Sequence, residues 1–62
     1  MTLNESRLYE AGKALASSYA STYGTAEAMT LLRKHVVESV GHAVETAGMC
    51  DALLERAQRE AR

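Results

Sequence analysis

Proline, phenylalanine and tryptophan are absent from this chain, and cysteine occurs once. Without proline, nothing in the sequence forces a helix to kink from within. With three tyrosines as the only aromatic residues, a core must be filled by aliphatic and small side chains. A single cysteine, Cys50, excludes an intramolecular disulfide and leaves no CxxC pair for zinc. No apolar run approaches the roughly 20 residues a membrane span requires. Met1-Thr2-Leu3-Asn4-Glu5 lacks the basic and apolar segments of a signal peptide, so a reducing, cytoplasmic location is the expectation. An excess of charge of either sign is lacking too. Seven basic and eight acidic residues give a net charge of −1, with no general pull toward nucleic acid or an anionic membrane.

Catalytic signatures are missing as well. There is no glycine-rich phosphate loop and no nucleophile motif, so no enzymatic activity, cofactor or metal is expected. At 62 residues the chain buries only about 60% of the surface its unfolded form exposes. Association with another chain is the expected supplement.

What the sequence does contain is a tandem heptad. His35-Val36-Val37-Glu38-Ser39-Val40-Gly41 is followed by His42-Ala43-Val44-Glu45-Thr46-Ala47-Gly48, with His, Val, Glu and Gly repeated in place. A seven-residue repeat assigns each residue type to its own stripe of a helix. Upstream, Thr2-Leu3-Asn4-Glu5 has the form of a capping box and predicts a first helix over about 3–23. Leu8, Ala11, Leu15, Tyr19 and Thr22 form one stripe of it. Gly12, Ala16 and Ala20 form a second, small enough to admit another backbone. Gly24 suits a positive-φ helix end, and Thr25 suits the N-cap of the next helix.

From there the apolar spacing predicts one long second helix over about 26–61. Its seam runs through Met29, Leu32, Val36, Val40, Ala43, Ala47, Cys50, Leu54, Ala57 and Ala61 in steps of three and four. The rival reading breaks the helix at Gly48, with Asp51 capping a short third segment. The expected architecture is therefore all-α: an antiparallel helical hairpin with a long second helix. A rod of roughly 31 Å cannot cover one of roughly 54 Å. The uncovered seam (Val40, Ala43, Ala47, Cys50, Leu53, Leu54 and Ala57) is expected to dimerise into a four-helix assembly.

The heptad also places His35, Glu38, His42 and Glu45 on one ridge, in the order His-x-x-Glu. A solvated polar face is favoured there over a metal site or a pH-sensitive strip. Cys50 reads as a small buried thiol on the apolar seam, a core filler rather than a nucleophile or zinc ligand. Tyr9, Tyr23, Arg33, Lys34, His35 and His42 make a candidate surface for a larger partner. The functional expectation is a small non-enzymatic interaction protein, a homodimer that binds and modulates or inhibits a larger protein, of the kind phages direct against host factors. The alternative is a dimeric RNA- or DNA-binding regulator using Arg33, Lys34, Arg56 and Arg59.

Overall fold

A computed structural model of the chain describes residues 1–38 and 41–62. They form three helices, α1 (Leu3–Tyr23), α2 (Thr25–Val37) and α3 (Ala43–Glu60), with no strand among the described residues. The all-α class is as expected. The long second helix is not.

The start of α1 follows from its capping box. Thr2 Oγ1 accepts from the Glu5 amide at 3.2 Å, and Glu5 Oε1 accepts from the Thr2 amide at 3.0 Å. The bonds to Thr2, backbone first, hold the Glu5 carboxyl below the usual carboxylate range. α1 ends at Gly24, whose φ of 97° and ψ of 160° lie in a region essentially reserved for glycine. Its amide still donates to Ala20 O, and its carbonyl accepts from Ala28 N. The chain reverses on that one residue.

Thr25 is not the N-cap; Gly24 is, and Thr25 is the first residue of α2. Its hydroxyl is committed elsewhere, donating to Glu60 Oε2 at 2.8 Å and accepting from Arg56 Nε at 3.1 Å. The start of α2 is thereby fastened to the end of α3.

The expected 26–61 helix is two helices instead. An unbroken rod would reach roughly 54 Å, whereas the longest extent of the molecule is 34 Å. α2 finishes at Val37 with Glu38 as its C-cap, and Gly41 takes a φ of 81° before His42 caps α3. Gly48, the other proposed break, lies buried inside α3. The ridge of His35, Glu38, His42 and Glu45 is accordingly cut in two. His35 and Glu38 close α2, while His42 and Glu45 open α3.

With α2 doubling back, α1 and α3 run in the same direction. Tyr9 bonds Asp51 and Lys13 reaches Glu55, so contacts on the two helices advance together. This is the most extensive helix contact among the described residues. A β-carbon added at Gly12 would overlap the carbonyl oxygen of Glu45 and lie 2.8 Å from its carbonyl carbon. One added at Gly48 would overlap the carbonyl oxygen of Tyr9 and lie 3.1 Å from the Lys13 nitrogen. The helices therefore meet backbone to backbone. The stripe of Gly12, Ala16 and Ala20 is the buried face of α1, as its spacing implied.

The core is Ala16, Ala20, Ala28, Met49, Ala52 and Leu53, with Tyr19, Leu31 and Leu32 packed against it. Leu53 is thus a core residue, 2% exposed, and not part of an outward seam. α1 has 21 residues and α3 has 18. The length mismatch that required a second chain is gone, and any two-fold dimer of this three-helix unit would hold six helices, not four.

Candidate interaction surface

α3 has two apolar faces. The inner one consists of Gly48, Met49, Ala52 and Leu53, all buried. At about 100° per residue, Ala43, Ala47, Cys50, Leu54, Ala57 and Ala61 fall within an arc of roughly 80°, centred roughly 150° from the inner face. Ala43, Ala47, Cys50, Leu54 and Ala61 are exposed and Ala57 is half-buried, so the seam legible in the sequence looks outward. Leu54 is its one bulky member, 55% exposed. Val40, counted with the seam, lies outside the described residues.

No charge enters this arc. Glu45, Arg56 and Glu60 project on the side of α2 and the core, whereas Asp51, Glu55 and Arg59 project on the side of α1. Several are tied there. Asp51 accepts from the Tyr9 hydroxyl, Glu55 lies 3.9 Å from Lys13 Nζ, and Arg56 Nε lies 3.8 Å from Glu60. Lys13 Nζ also sits 5.7 Å from the Tyr9 ring centroid, over the negative face of its π-system. Charged groups thus edge the helix contacts while the outward arc stays neutral. Solvated helix faces have the opposite arrangement.

α2 carries a second exposed stripe, Met29, Arg33 and Val36, at spacings of four and three. Val37 adjoins it, 73% exposed. Met and Arg are types enriched where proteins bind one another. Tyr23 is exposed and its ring packs at a tilt against Tyr19, with ring centroids 4.8 Å apart.

The six residues expected to face a larger partner therefore separate. Tyr23, Arg33 and Lys34 are exposed. Tyr9 is half-buried between α1 and α3, where the Asp51 bond, then burial, pushes its hydroxyl up to about 12. His35 is half-buried, its Nδ1 enclosed and without a hydrogen-bond partner among the described residues. His42 is exposed, with its Nδ1 accepting from Val44 N at 3.0 Å. The sequence pattern set Met29 and Val36 on the apolar seam of a long helix, whereas both are exposed on α2 together with Val37.

An open depression of about 330 Å³ is lined by Leu31, Lys34, His35 and Glu38. Among the described residues no three His, Cys, Asp or Glu side chains converge as metal ligands would. No helix among the described residues is long and apolar enough to cross a membrane. Arg56, one of the four basic residues considered for nucleic acid, is held by Thr25 and Glu60. In comparison with known proteins, no family model matches this chain, and neither a curated protein nor a solved structure matches it.

Proposed function

We propose that this chain is a non-catalytic interaction module, a homodimer joined through the outer arc of α3. In this reading it offers the Met29–Arg33–Val36 stripe of α2, with Tyr23 and Lys34, to a larger protein that it modulates or inhibits. The observation that carries the reading is the neutral outer arc of α3. A two-fold contact sets each group near its axis against its own copy, so a charged stripe would repel itself. A stripe of Ala43, Ala47, Cys50 and Leu54 does not, and its small residues leave room for Leu54 of a second copy.

Burying a fully exposed leucine is worth about 1.5–3 kcal/mol; Leu54 is already half-covered by its own chain, so the two copies together supply roughly 2–3 kcal/mol of dimer stability. Leu54→Glu removes this and places two like charges at the seam. The expected loss in association constant is about 30–200-fold from the lost burial alone, and the paired charges add to it. Because Leu54 lies outside the core, the variant keeps its helices.

Sedimentation of both proteins tests this. The wild type should sediment as a dimer and Leu54→Glu as a folded monomer of 6.7 kDa. A wild type that remains monomeric at high concentration, or a variant that sediments like it, removes the reading.

A further inference from the structure

We propose that the imidazole of His42 makes the start of α3 acid-sensitive. His42 is the N-cap of α3 and satisfies one of the helix's free amides through Nδ1, which accepts from Val44 N at 3.0 Å. An imidazole nitrogen accepts only while it carries no proton, and the imidazolium donates from both nitrogens. Taking up a proton at Nδ1 therefore turns an acceptor into a donor aimed at an N–H group. The new charge also falls at the positive end of the helix dipole.

The location gives this bond its reach. Val44 is flanked by Glu45, whose carbonyl is the surface on which Gly12 of α1 rests. The cap thus orders the turn of α3 that forms the tightest contact in the molecule. Ala43 and Ala47, which begin the outward stripe, stand on the same two turns.

Each neighbouring element turns charged or titratable groups to this corner. α1 contributes Glu5, close enough for the two side chains to interact electrostatically. α2 contributes His35 and Glu38 at its C-terminal end, beside Lys34. α3 itself contributes Glu45, whose Oε1 would lie 3.3 Å from a β-carbon on Gly41, with His35 Nδ1 at 3.9 Å from the same point. Glu5 and Glu45 attract an imidazolium and soften the effect. They do not restore the acceptor that Val44 N needs.

The cap contributes while Nδ1 is free of its proton and is lost once acid places a proton on that nitrogen. Asparagine caps a helix with a side-chain oxygen and does not titrate. Melting temperatures of the full chain and of His42→Asn at pH 7.5 and 5.5 test the idea. The wild type should lose about 4–8 °C more than the variant on acidification. Equal losses would overturn it. His35→Gln should keep the wild-type acid response; if it abolishes that response, the sensitivity belongs to His35 and not to the cap. The protection factor of the Val44 amide, followed by hydrogen exchange, should fall selectively at pH 5.5, and undiminished protection there would overturn the inference without recourse to any variant.

Discussion

Gly12 and Gly48 set how closely α1 and α3 approach. Each lets its helix rest on a backbone carbonyl of the other, with no room for a β-carbon. Alanine at either position would gain about 1 kcal/mol of helix propensity. It would also force α1 and α3 apart along their whole contact, at the upper end of the roughly 1–3 kcal/mol that overpacking costs, or beyond it. Both Gly12→Ala and Gly48→Ala should therefore lower the melting temperature, by about 10 °C for a net loss of about 2 kcal/mol in a domain this small. A rise in either would show that the helices do not touch there. Tyr9 gives a second test at this scale. Its hydroxyl is raised from 10.0 to about 12 by the Asp51 bond, burial and the charge of Asp51. A raised value means stability fully present below pH 10 and lost as pH climbs toward 12. Tyr9→Phe should remove this loss, and an ultraviolet titration of the variant should lack the phenolate step near pH 12. An alkaline melting profile unchanged by the substitution would place Asp51 away from the hydroxyl.

At the scale of the element, the two heptads are alike in sequence and opposite in use. Their glycines show why. Gly41 adopts a φ of 81°, open to glycine but costly for other residues, and helps turn the chain between α2 and α3. Gly48 stays helical and lets Tyr9 approach. Periodicity cannot separate these roles, because spacings of three and four can be counted across a turn as readily as along a helix. The end signals of α1, Thr2 with Glu5 and then Gly24, were legible because each has its own local chemistry. The inner face of α3 was harder to see. Its core is built on glycine and alanine, and the distance between backbones decides the packing. A reading weighted toward larger apolar residues instead follows Cys50 and Leu54 to the outside. Small-residue spacing in α1 did identify Gly12, Ala16 and Ala20, and the same signal in Gly48 and Ala52 was masked by the stronger seam beside it. Thr25 was misassigned because its hydroxyl partners, Arg56 and Glu60, come from a helix distant in sequence.

For the molecule as a whole, Met49 and Leu53 are the only large side chains fully buried among the described residues. A core so slight leaves a 62-residue chain close to the limit of independent folding. Self-association would couple folding to concentration, since a partner that binds only the folded chain stabilises it by mass action. Well above the dissociation constant, each tenfold rise in concentration is worth about 1.4 kcal/mol per dimer, or about 0.7 kcal/mol per chain. For a domain of this size that corresponds to a melting temperature higher by about 3–5 °C. Scans over a hundredfold range should therefore show a steady rise for the wild type and a flat line for Leu54→Glu. A wild-type melting temperature independent of concentration would mean that three helices resting on glycine and alanine stand unaided, and that the neutral face of α3 meets something other than its own copy.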